Sequence, residues 1–162
     1  MNLALIISIF GILLFVFYQD VKYRQIHIVL PVLIFLNSFY FLTKKNYENY
    51  QVLLYNIVFV VLTIGLLVVY MSVKNKSFLN PFANYFGLGD LLFFLAITPL
   101  FVTYNYILYF IFSMVFSAVL QLFFSKIMKV KTVPLAGFAA LFLILIITKD
   151  LIFGFSKITL IV

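Results

Sequence analysis

Apolar residues fill this chain in long blocks, and short polar breaks separate them. A helix needs roughly 20 apolar residues to cross about 30 Å of hydrocarbon, so each block is read against that length. Six spans result. The first covers residues 2–19, and with neither a basic leading region nor a small-residue cleavage site it reads as a retained span rather than a signal peptide. The second covers about 26–42, with Pro31 near its start, and the third about 51–73, after a polar patch at 44–50. The break at 74–89 carries Asn80-Pro81 and two glycines, all turn signals. Residues 90–124 are then almost continuously apolar, and as one helix they would be about 50 Å long, too long for a single crossing. The chain must fold back, and Thr103-Tyr104-Asn105 is the only polar place to do so. This predicts a short fourth helix opening at Asp90 with Pro99 near its far end, and a fifth helix over about 106–125. The last span opens at Val133-Pro134, where a proline's missing N–H costs little, and ends near 148–150. Residues 151–162 are apolar but too few to cross.

Composition sharpens the class. With 67% of 162 residues hydrophobic, 9% charged and a mean hydropathy of +1.26, no soluble domain of this size could hide the apolar surface. The expected fold is an all-α, six-helix membrane bundle forming one domain over 1–162, with little loop between helices. The 22 phenylalanines are read as packing and lipid contact. The absence of cysteine removes disulfides, thiolate metal sites and cysteine nucleophiles, and one histidine cannot by itself build a metal site. A net charge of +7 would suggest nucleic acid in a soluble protein, but here the basic residues sit in the breaks between spans, as topology requires.

Those residues also orient the bundle. Breaks one, three and five hold Lys22, Arg24, Lys74, Lys76, Lys126, Lys129 and Lys131, against Lys44, Lys45, Lys149 and Lys157 on the other side. Because Lys and Arg accumulate on the cytoplasmic face, both termini are expected outside and Asp20 and Asp90 at the cytoplasmic ends of their helices. Anionic lipid contact is a second use for the same residues. The other acids, Glu48 and Asp150, fall on the opposite side.

Ionisable groups at the hydrocarbon boundary are costly and tend to be kept for a task. Two carboxylates held close share a proton, so one acts as base and the other as acid. The base can activate water against a peptide carbonyl while the acid protonates the oxyanion or the leaving amine, with no covalent intermediate. Gly87-Leu88-Gly89 precedes Asp90, and glycines there would let a substrate backbone approach closely and would permit unusual φ angles.

Asp20-Val21-Lys22-Tyr23-Arg24-Gln25-Ile26 resembles the aspartate-led D-x-x-x-R-x-I-P segment of type IV prepilin peptidases, and Gly87-Leu88-Gly89-Asp90 looks like their second catalytic motif. The same GxGD arrangement is known from archaeal preflagellin peptidases and presenilins. Val133-Pro134-Leu135-Ala136-Gly137-Phe138-Ala139 is similar to the I-P-F-G-P-F element opening the last span of that family. The resemblance implies an aspartic endopeptidase with Asp20 and Asp90 catalytic and Gly87, Gly89 and Arg24 near the substrate. It further implies cleavage of a membrane-anchored prepilin-like or pseudopilin-like leader at the cytoplasmic face of the inner membrane, with no metal or organic cofactor. Two positions depart from the pattern: His27 replaces the usual proline, and Leu92 stands where many members carry lysine. The methylating domain of the larger bacterial members is not expected, since the chain starts directly in a span.

Plainer accounts exist for each feature. Asp90 could only cap a helix, and Asp20 could only pair with Lys22 or Arg24. His27 fits a boundary residue facing headgroups. Ser113, Ser117, Gln121 and Ser125 line one helix face and suit interhelical hydrogen bonding, as do Asn37, Asn56 and Thr63. Two other classes of function remain: a catalytically silent subunit of a pilus or secretion apparatus, and a small transporter using its acids as an ion relay. Against the transporter, the two halves show no repeat and no acid falls at a span's midpoint.

Overall fold

The computed structural model describes residues 3–45, 50–75, 87–124, 133–153 and 157–161. Glu48, Lys76, Ser125 and the basic cluster at Lys126, Lys129 and Lys131 lie outside the described residues, as do most of the breaks at 74–89 and 126–132. Within the described residues the chain is all-helical, without strands. The helices are α1 (Leu3–Tyr23), α2 (Val29–Lys45), α3 (Tyr50–Asn75), α4 (Leu88–Ala96), α5 (Thr103–Phe124) and α6 (Leu135–Ile152), with one 3₁₀ turn, Thr98–Leu100, after α4. Four of them, α1, α3, α5 and α6, are long and apolar enough to cross a membrane. The 17-residue α2 falls just short of that length, and α4 has nine residues.

Helix α1 packs most extensively against α6, and α4 lies against α2 and α6. The α1–α6 pairing follows from spacing. The buried apolar side chains of α1 are Ile6, Ile9, Leu13 and Val16, and those of α6 include Ala136, Ala140, Leu143 and Ile147. Steps of three and four residues trace one seam down each helix, the pattern of shallow left-handed crossing. Because lipid is as apolar as leucine, seams of this kind are held by close packing and hydrogen bonds, and the small residues opening α6 permit the approach. Two buried tyrosines add bonds between helices: the Tyr106 hydroxyl donates to the Phe94 carbonyl at 2.8 Å and the Tyr109 hydroxyl to the Ala139 carbonyl at 2.8 Å.

The reversal expected at Thr103-Tyr104-Asn105 occurs earlier, at Ile97–Val102, and those three residues open α5 instead. Pro99 ends α4 by removing a donor, and the Leu95 carbonyl that this donor would have met accepts from the Thr98 hydroxyl at 2.7 Å instead. The Asn56 amide donates to the carbonyls of Thr98 and Phe101, each at 2.9 Å. The turn can therefore be apolar in sequence and buried in space, because α3 supplies its polarity.

The last described segment, 157–161, is also engaged. Phe101 and Thr159 form an isolated antiparallel bridge, and the Leu160 N–H donates to the Leu100 carbonyl at 2.7 Å. Asp150, fully buried, organises this end: its carboxylate accepts from the N–H groups of Ile158 and Thr159, the Thr159 hydroxyl and the Lys149 ammonium.

The polar residues assigned to interhelical bonding divide. Ser8 donates to Asn37 across α1 and α2 at 3.1 Å, and Asn56 bridges as described. Ser113, Ser117 and Thr63 instead donate to carbonyls of their own helices, three or four residues back. A hydroxyl inside an apolar helix finds that acceptor without needing a partner helix.

Candidate active site

Asp20 sits in the last turn of α1, and its position continues the buried seam: 6, 9, 13, 16, then 20. It is accordingly only 6% exposed, at the point where the seam meets the start of α6. The helix is closed by Arg24, whose N–H donates to the Asp20 carbonyl at 3.0 Å with φ of 55°. That left-handed cap normally takes glycine, and an arginine there costs about 1–2 kcal/mol. The four-residue step from Asp20 to Arg24 thus ties helix termination to the acid, and backbone strain of this size clusters at functional sites.

Asp90 lies in the first turn of α4. Its Oδ2 accepts from the Gly87 N–H at 3.2 Å, reaching back over the helix start. The glycines of this tetrad do something other than expected. Gly87 has φ of −67°, which any residue adopts, and Arg24 rather than either glycine takes the positive angle. What the glycines provide is room. A Cβ on Gly87 would stand 3.0 Å from Asp90 Oδ2, and one on Gly89 would stand 3.3 Å from the Ile26 side chain. At Gly89 the close approach is filled by the chain's own Ile26, which locks the α1–α2 connection onto α4.

The element that joins the two acids is the first turn of α6. The Ala136 N–H donates to Asp90 Oδ1 at 2.8 Å, and the next N–H, of Gly137, donates to Asp20 Oδ2 at 2.6 Å. The first turn of any helix has N–H groups with no partner inside it, and its positive dipole end suits carboxylates. Gly137 is required by the fit, since a Cβ there would come within 3.1 Å of both Cβ and Oδ2 of Asp20. Asp20 and Asp90 are therefore brought together by the sixth helix. The motif comparison pointed to 133–139 without assigning these residues a role, and the small pair Ala136-Gly137 beside a proline was the available signal.

A cavity of about 310 Å³ opens between the acids and the α1–α2 connection. Asp20, Asp90, Gly87, Gly89 and Arg24, the five positions singled out from the sequence, all line it, together with Gln25, Ile26 and Leu88. His27 does not: its side chain is exposed, and its N–H donates to Gln19 Oε1 at 3.0 Å, bracing the connection. Leu92 faces a separate apolar groove. Three backbone N–H groups serve four carboxylate oxygens here, which leaves acceptor capacity at the cavity. Among the described residues no group of three His, Cys, Asp or Glu could hold a metal ion. Chemically, the arrangement can bind a water or a polarised carbonyl between two acids and pass protons in both directions.

No protein-family model matches the chain, and no curated protein or solved structure shows significant similarity to it.

Proposed function

We propose that the chain is a membrane aspartic endopeptidase that removes the leader of prepilin-like or pseudopilin-like substrates at the cytoplasmic face of the cell's inner membrane. In this reading all six helices belong to the membrane bundle, both termini lie outside, and the cavity opens toward the cytoplasm. One observation carries the proposal: Asp20 and Asp90, from different helices, are bound by consecutive N–H groups of a third and face one cavity.

Catalysis then runs through a shared proton. The ionised carboxylate takes a proton from water as that water attacks the peptide carbonyl, and the protonated one donates to the oxygen that gains charge. Collapse of the tetrahedral species breaks the C–N bond, and the leaving amine takes its proton from the carboxyl that acted as base. The N–H groups of Ala136 and Gly137 fix one oxygen of each acid, and the Gly87 N–H takes a single lone pair of the other Asp90 oxygen, which leaves acceptor capacity for the substrate. Cleavage in membranes tests this, with a prepilin-type substrate followed by mass and the wild type compared with Asp20→Asn and Asp90→Asn. Processing by the wild type that disappears in both variants supports the dyad; equal processing by all three discards the aspartyl mechanism. The silent-subunit alternative draws on Leu92, which meets an apolar groove rather than the cavity and so gives the acids no neighbouring cation from that position. It expects no processing and full assembly activity in both variants.

A further inference from the structure

Residues 24–28 join α1 to α2 and form one wall of the carboxylate cavity through Arg24, Gln25 and Ile26. Their backbone is tied to the helices they connect. The N–H groups of Arg24 and His27 donate back to α1, to the Asp20 carbonyl and to Gln19 Oε1, each at 3.0 Å, and the His27 carbonyl accepts from the Leu30 N–H of α2 at 2.9 Å. The tie to α4 is apolar. Ile26 lies over Gly89 so closely that a Cβ on the glycine would stand 3.3 Å from both its Cβ and its Cδ1. Ile26 is only partly buried in this position, so lifting it uncovers little apolar surface.

The cavity is small for the reaction assigned to it. At about 310 Å³ it stands at the low end of the roughly 300–1,000 Å³ that encloses a drug-sized ligand, whereas a cleaved polypeptide must pass both acids with residues on either side. The close approach that Gly89 offers to an extended backbone is already taken by Ile26. We propose that the α1–α2 connection is a latch: Ile26 seated on Gly89 closes the cavity to polypeptide, and a substrate enters by lifting it and laying its own backbone against the glycine. The proposal rests on the protease reading and concerns how that site is gated. Arg24 is the hinge. It ends α1 with φ of 55°, and a return to negative φ as the connection lifts releases that strain. The closed state thus sets an apolar contact against stored strain, a balance that substrate binding can tip. Closed, the latch keeps the acids from polypeptides that bind too weakly to displace it.

The chain contains no cysteine, so Ile26→Cys combined with Gly89→Cys creates the one pair that can cross-link. The 3.3 Å between those Cβ positions falls just under the about 3.5–4.5 Å of a disulfide. The protein is reconstituted in phosphatidylethanolamine–phosphatidylglycerol vesicles, and cleavage of a prepilin-type peptide is followed by mass before and after reduction with dithiothreitol. Ile26→Ala is measured beside the wild type. The expected result is cleavage at least about fiftyfold slower in the cross-linked protein than in the same protein after reduction. In Ile26→Ala, KM should fall about fivefold with kcat little changed, because substrate no longer competes with the latch. A cross-linked protein as fast as the reduced one, or a KM in Ile26→Ala that is unchanged or raised, overturns the latch while cleavage by the wild type keeps the protease reading. If the reduced double variant is itself inactive, the KM of Ile26→Ala decides alone. Failure of the wild type to cleave overturns the protease reading and the latch with it.

Discussion

The two ends of α6 hold buried carboxylates in opposite ways. At its C-terminal end, Asp150 is completely buried and both oxygens are saturated, by two N–H groups, a hydroxyl and an ammonium, with distances from 2.7 to 3.2 Å. At its N-terminal end, Asp20 and Asp90 divide three N–H groups between them and look into a cavity. Burial alone does not distinguish a saturated acid from one with capacity for a substrate; satisfaction does. A carboxylate with every lone pair engaged stabilises its surroundings and has nothing left for a substrate, whereas an under-served pair can exchange protons.

Substitutions at the two ends should therefore break different properties. The largest stability effect is expected for Asp150→Ala, which strands the N–H groups of Ile158 and Thr159 and the Thr159 hydroxyl inside the bundle. At about 1–3 kcal/mol for each of the three buried groups left unpaired, the loss is about 3–9 kcal/mol, or upward of about 6 °C in a thermal unfolding scan in detergent. A change under about 2 °C would show that the cluster contributes nothing net. Gly137→Ala comes next and acts at the other end, where its methyl must displace Asp20. Cleavage should fall about 10²-fold from the misplaced acid, with about 1–3 kcal/mol lost from overpacking. Wild-type rates in this variant would contradict the assigned geometry. Thr159→Val removes one donor from Asp150 and should cost about 1 kcal/mol while leaving cleavage unchanged, which pairs a stability readout with an activity control. The smallest effect is a gain. Arg24→Gly relieves the positive φ and should raise stability by about 0.5–1 kcal/mol while lowering cleavage, and a fall in melting temperature would mean that the side chain outweighs the strain.

Much of this was legible in the chain itself, for identifiable reasons. Run length gave six helices with boundaries off by a few residues, because a bilayer-sized apolar block has one regular solution. The five cavity residues were legible because they fall in two short motifs whose internal spacing matters: Asp20 to Arg24 closes a helix, and Gly87 to Asp90 opens one. The α4–α5 turn was not legible, since polarity was sought locally and Asn56 supplies it from 42 and 45 residues away. Asp150 was set aside as lying on the far side, although it extends the α6 seam of 136, 140, 143 and 147 by a further three. The segment at 157–161 was read only as too short to cross, because most of its structure comes from backbone groups, which carry no sequence signal beyond Thr159.

The shortness of α4 has a consequence for water. With its 3₁₀ turn it covers about 19 Å, against about 30 Å for the hydrocarbon of a bilayer. Beside the turn lies a different piece of the chain: Thr159 and Leu160 pair with Phe101 and Leu100, and the Asn105 amide donates to the Ile158 carbonyl at 3.0 Å. This short segment supplies partners to polar groups at that end of the bundle. With it seated, the carbonyl of Leu100 and the carboxylate of Asp150 are paired inside the protein; without it, both would need hydration, and water would follow them into the bundle from the end opposite the acids.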